Sequence, residues 1–154
     1  MQQSTKRGLG EKAKGDAPKR VAGKMHKGKL ETLEKMFSSA ESKVLLVEGK
    51  HDIAALRAVG VDARFVTAND TPERIAARLA RTGESRVFLL LDFDREGLRK
   101  QQFFKAFLEE QGFSVETGFA RKMRSLLGFT HAEEVERKYA VLKKKGELNG
   151  KNVR

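Results

Sequence analysis

The apolar positions of this chain change period from one segment to the next, and the changes predict alternating helices and strands. Leu30, Leu33, Met36, Phe37 and Ala40 recur at three- and four-residue spacing, which predicts an amphipathic helix from about Lys29 to Glu41. The run Val44–Val47 is continuous and short, a strand closed by Glu48-Gly49. A helix is expected over about residues 52–59, closed by Gly60, then a strand over 64–67. Thr71 has the chemistry of an N-cap, and Pro72 suits a first turn, where its missing N–H costs nothing. That helix presents Ile75, Ala76 and Leu79 and stops before Gly83. Arg86–Leu91 is apolar without alternation, the mark of a strand covered on both faces. A helix over about 97–111 carries Leu98, Phe103, Phe104, Phe107 and Leu108 on its expected inner side, and residues 113–119 offer a fourth strand. This rhythm predicts an α/β fold, a Rossmann-like parallel sheet of about four strands flanked by helices.

The ends read differently. Residues 1–27 hold almost no large apolar side chain and cannot bury enough surface to offset ordering entropy, so they read as a disordered basic arm. Arg121–Leu127 reads as a short basic helix. Thr130 and Glu133 have capping-box spacing before a helix whose stripe is Ala132, Val135, Tyr139 and Leu142, ending at Lys143, Lys144 and Lys145. The chain thus divides into a basic arm (1–27), an α/β domain with a leading helix (28–120) and a basic helical extension (121–154).

Charge sharpens that division. The formal net charge is +11, and residues 1–30 carry nine Lys/Arg against two acids. Residues 121–154 carry ten against four, while residues 31–120 carry thirteen against fifteen. A nearly neutral centre with two cationic ends fits a polyanionic partner, because neutralised phosphates release condensed counterions. There is no cysteine, which excludes disulfide scaffolds, thiolate zinc sites and thiol nucleophiles. Three scattered histidines, His26, His51 and His131, argue against a histidine-built metal centre. No apolar run is long enough for a membrane span, and a cytoplasmic protein with no membrane partner is expected.

The candidate chemistry lies where two predicted strands end in acids. One gives Glu48-Gly49-Lys50-His51-Asp52, the other Asp92-Phe93-Asp94-Arg95-Glu96-Gly97. In an open parallel sheet ligands bind at the carboxyl ends of the strands, and converging carboxylates call for a hard divalent cation. These two motifs, about forty residues apart, resemble those of the TOPRIM domain of topoisomerases, primases and the 5S ribosomal RNA maturase. The chain as a whole is similar to small stand-alone, primase-like TOPRIM proteins of archaea. The resemblance spans about residues 43–120 and implies a TOPRIM fold. It implies that Glu48 acts as general acid or base and that Asp92 and Asp94 bind Mg²⁺. It adds Glu96 as a third acid and Lys50 and Asp52 as auxiliaries. The sole tyrosine, Tyr139, sits on a core stripe, so a strand-passing topoisomerase is not expected.

The expected activity is Mg²⁺-dependent chemistry on nucleic-acid phosphodiesters, most plainly a nuclease for structured RNA, with ribosomal RNA as a candidate. Lys50 and Arg95 would contact the scissile phosphate. Arg99, Arg121, Lys122, Arg124, Lys143, Lys144 and Lys145, with Lys19 and Arg20 in the arm, would bind the backbone. A non-catalytic protein associated with ribosomal RNA is the alternative, and a primase-like protein a third. Phe103, Phe104 and Phe107 read as core rather than as a platform for bases.

Overall fold

The two most apolar runs lie side by side at the centre of a four-stranded parallel sheet. The computed structural model describes residues 19–153, with side chains over 23–147. In chain order the elements are α1 (Lys19–Ser39), a 3-10 turn (Ala40–Ser42), β1 (Val44–Val47), α2 (Lys50–Ala58), β2 (Arg64–Thr67) and α3 (Pro72–Arg81). There follow β3 (Arg86–Leu90), α4 (Arg95–Glu110), β4 (Ser114–Glu116), α5 (Gly118–Leu127), a 3-10 turn (Ala132–Glu134) and α6 (Val135–Val153). The strand order is β2-β1-β3-β4, with Leu45 paired to Phe88 and Val47 to Leu90.

Because side chains alternate along a strand, the sheet carries one core on each face. Leu45, Val47, Phe88 and Leu90 pack with Leu33, Phe37, Leu56, Met123, Phe129 and Val135. Val44, Leu46, Val87, Leu89 and Leu91 pack with Ile75, Leu79, Phe104 and Leu108. Helices α1, α2, α5 and α6 therefore cover one face, and α3 and α4 the other. Burying a Leu or Ile completely is worth about 1.5–3 kcal/mol, so this double cover is the main source of stability. Thr71 caps α3 as expected, its hydroxyl accepting from Arg74 N at 3.3 Å. None of the described helices is long and apolar enough to cross a membrane.

Several expectations need correction. The basic arm is helical from Lys19 onward, because α1 starts eleven residues before its apolar stripe; residues 1–18 lie outside the described residues. What holds α1 is α6. Phe37 meets Tyr139 edge to face at 5.4 Å, and a side chain on Gly146 would press on Leu30 Cδ1 at 3.1 Å. The two basic ends are thus one helical pair. The run Lys143–Lys145 lies within α6 rather than at its end. The capping carboxylate before α6 is Glu134, not Glu133: its Oε1 accepts from Thr130 N and His131 N at 2.9 and 3.0 Å. Leu98 and Phe103 are not core. They are 43% and 50% exposed, because the buried stripe of α4 runs through Gly97, Phe104 and Leu108.

Candidate metal and phosphate site

The sheet order places β2 on one side of β1 and β3 on the other, so the connections diverge between β1 and β3. That divergence leaves a crevice at the carboxyl edge, the usual ligand position in such sheets. Glu48 follows β1 and Asp92 follows β3, so the acids of both motifs meet there. The loop from Asp92 to Gly97 is drawn tight. A Cβ on Gly97 would lie 2.0 Å from the Asp92 carbonyl oxygen, so only glycine fits this turn. Asp94 then caps α4, its Oδ1 accepting from Gly97 N at 2.7 Å.

A third segment closes the site. Phe93 N donates to Thr130 O at 2.7 Å, and Ala132 N to Asp92 Oδ1 at 3.0 Å. This lays His131 against the acids, with Nε2 3.2 Å from Asp94 Oδ2. Asp92, Asp94 and His131 each present a ligand atom, all within 4.8 Å of one another. Each carboxylate uses its Oδ1 on a backbone N–H; Asp92 Oδ2 is left for a ligand, while Asp94 Oδ2 meets His131 Nε2, a contact that a bound ion would replace. Two carboxylates suit Mg²⁺ or Mn²⁺, and the imidazole nitrogen tilts the set toward Mn²⁺ or a later transition metal.

The charges around the group are unevenly balanced. Burial pushes the Asp92 carboxyl up, and the charges of Glu48 and Asp94 push it the same way. Asp94 goes down, chiefly through the N–H of Gly97, with His131 assisting. For His131, desolvation works downward, but the carboxylates of Asp92 and Asp94 outweigh it and the net movement is upward. Glu48 is half-buried and meets Lys100 Nζ at 3.0 Å, a contact that raises the lysine. Behind them Asp52 is 5% exposed, and burial first, then the charges of Asp92 and Glu48, lifts it to about 6. The N–H of Gly49, donating to its Oδ2 at 3.2 Å, opposes this.

The other expected site residues fall into four groups. Glu96 lies outside the three-ligand group; its side chain is 76% exposed and pairs with Lys100 at 3.7 Å. Lys50, Arg95 and Arg99 are exposed in the first turns of α2 and α4, the helices that follow β1 and β3. Arg121, Lys122 and Arg124 lie on α5, and Lys143, Lys144 and Lys145 on α6, with Lys143 also 5.7 Å from the Tyr139 ring. Lys19 and Arg20 lie in the first turn of α1, and their side chains are outside the described residues. Spacing in the sequence gives no hint of the histidine, because 37 residues separate it from Asp94. The one sequence signal beside it is the capping spacing of residues 130–134.

Over 92 residues the chain is 39% identical to a UPF0292 protein of Methanocaldococcus jannaschii, covering 57% of this chain and 70% of that protein. The chain belongs to the UPF0292 family. A second UPF0292 protein, from Methanosarcina barkeri, is 26% identical over 130 residues, which cover 78% of this chain and 87% of that protein. A solved structure of an Aquifex aeolicus protein matches 68% of this chain and 94% of its own, with a TM-score of 0.57 and 28% identity. No protein-family model matches the chain.

These relatives overturn the TOPRIM resemblance: they are UPF0292 proteins and an Aquifex protein whose name states no activity, and none points to TOPRIM. Acids at the carboxyl edge of a parallel sheet are a recurrent outcome of the architecture, and so carry a site without carrying a family. The roles of Glu48, Asp92, Asp94 and Glu96 taken from that resemblance lose their family warrant. What remains is the mixed α/β fold and the geometry of the site.

Proposed function

We propose that this UPF0292 protein performs divalent-cation-dependent hydrolysis of nucleic-acid phosphodiesters, with structured RNA as the first substrate to test. The observation that carries the reading is the convergence of Asp92, Asp94 and His131 at the β1/β3 crevice, with Glu48 beside them. Asp92, Asp94 and His131 would hold the ion, Mg²⁺ or Mn²⁺. When bound, it would supply Lewis-acid polarisation of a phosphoryl oxygen. Glu48 would accept the proton of the attacking water, and Lys100, already on its carboxylate, would hold it in place. Lys50, Arg95 and Arg99 would draw the phosphate in. The exposed lysines of α6 would add cations for the RNA backbone.

The test is cleavage of end-labelled structured RNA with Mg²⁺ or Mn²⁺, comparing the wild type with Asp92→Asn/Asp94→Asn. A loss of at least about 100-fold in rate is expected, with RNA binding in EDTA retained. Equal cleavage by both proteins would overturn the assignment.

One contact favours a second reading. Lys100 already neutralises Glu48 at 3.0 Å, as it would in a protein that binds RNA without cleaving it. Crosslinking the wild type and Glu48→Gln to RNA in cells separates the two readings. Longer precursor ends in the variant support the nuclease, and identical ends support the binder.

A further inference from the structure

Beside the acid loop the surface opens into a cleft of about 650 Å³, within the range of small-ligand sites. Its wall is the loop itself, since Phe93 stands between Asp92 and Asp94. Leu98, Gln101, Arg121, Arg124, Ser125 and Gly128 complete the lining. The Arg124 guanidinium centre lies 4.9 Å from the Phe93 ring centroid, and its Nε donates to Phe129 O at 3.1 Å. Its terminal nitrogens remain for a ligand. Among the described residues, no carboxylate lies within ion-pair distance of Arg121 or Arg124. Leu98 presents apolar surface to solvent, and Gln101 Oε1 is buried with no hydrogen-bond partner. Such an acceptor costs about 1–3 kcal/mol until it meets a donor.

We infer that this cleft is a subsite for one unpaired nucleotide, adjoining the phosphate at the acids. A base needs a flat or apolar surface and a hydrogen-bonding edge; a phosphate needs cations. Leu98, Phe93 and the plane of the Arg124 guanidinium supply the first, since bases stack on arginine as well as on aromatic rings. The Gln101 amide supplies the edge, its unpartnered oxygen suited to the exocyclic amino group of adenine or cytosine once the side chain turns toward the cleft. Arg121 and the free nitrogens of Arg124 supply the cations. The subsite takes its place next to a reacting phosphate from the function proposed above, but nucleotide binding requires no turnover.

The experiment is amide NMR of the full chain in EDTA, titrated with adenosine 5′-monophosphate and, separately, with inorganic phosphate. Saturable shifts are expected at residues 93, 98, 101, 121, 124 and 125 with the nucleotide, and weaker binding with phosphate. Leu98→Glu, at an exposed position, is expected to weaken the nucleotide by at least about tenfold, or 1.4 kcal/mol, with an unchanged melting temperature. Unmoved cleft resonances, phosphate binding as tightly as the nucleotide, or full affinity in a folded Leu98→Glu variant would each overturn the subsite. Nucleotide binding without metal-dependent cleavage would sink the proposed hydrolysis and leave the subsite standing. Cleavage without nucleotide binding would do the reverse.

Discussion

Replacing Asp52 by Asn should make the protein more stable at neutral pH, and by an amount that grows with pH. Its carboxyl is lifted from 3.8 to about 6, chiefly by burial and then by the charges of Asp92 and Glu48. A carboxyl raised on folding contributes stability in full below its unfolded pKa, and that contribution is lost as pH rises through the folded value. The full displacement is worth roughly 3 kcal/mol, and at 5% exposure there is little solvent to screen it. Over the accessible window from pH 4.5 to 7.5, the two titrations leave about 2 kcal/mol of that change. Asparagine keeps an oxygen for the Gly49 N–H and has nothing to titrate. Urea unfolding of both proteins in EDTA at four pH values within that window measures the difference, in which the other titrating groups largely cancel. The advantage of Asp52→Asn should widen by about 2 kcal/mol toward pH 7.5. A gap constant to within about 0.5 kcal/mol across the window would show that Asp52 is not held in a desolvated, negatively charged environment.

Three other outcomes follow from the same geometry. Gly97→Ala sets a Cβ against the Asp92 carbonyl, which is backbone and cannot swing aside; a loss of roughly 3 kcal/mol in urea unfolding is expected, and wild-type stability would contradict the tight turn. Mn²⁺ at about 100 times its Kd should stabilise the wild type by about 2.7 kcal/mol in a thermal melt, and should leave Asp92→Asn/Asp94→Asn unmoved; equal shifts would place the ion elsewhere. Changing Lys143, Lys144 and Lys145 together to Gln should flatten the dependence of log RNA affinity on log salt by about 0.7–0.9 for each phosphate that the lysines neutralise, as measured by fluorescence anisotropy; an unaltered slope would remove α6 from the RNA surface.

The parts legible in the sequence are those whose signal is local. Val44–Val47, Arg64–Thr67 and the Thr71-Pro72 start of α3 appear where periodicity and capping chemistry put them, because each is decided within a few residues. The adjacency of β1 and β3 is legible only as a condition on the acids, and the register Val47 to Leu90 meets it. What escapes the sequence depends on tertiary contact. No period marks residues 19–28 as helical, since α1 is extended by lying against α6. Leu98 reads as core by spacing alone, yet α4 turns Gly97 to the sheet to let the Asp92 loop pass, and Leu98 rotates into the open. His131 joins the acids through two backbone hydrogen bonds that tie in a distant segment, Phe93 to Thr130 and Ala132 to Asp92.

The same contacts bear on why the acids are there. Asp52 feels the negative charges of Asp92, Glu48 and Glu133, while the basic side chains that meet the acid cluster are Lys100 and, when protonated, His131. Both Asp92 and Asp52 are held above the ordinary carboxylate range. A site selected for stability alone would not keep buried carboxylates unneutralised, because an apolar or amide side chain at Asp52 would remove the repulsion at little packing cost. Nor are the acids needed as caps, since serine or asparagine at position 94 could accept from Gly97 N equally well. The excess negative charge is therefore a cost borne by the fold. A cation bound by Asp92, Asp94 and His131 is the simplest agent that would offset it, and binding that ion only in the folded state would return the lost stability.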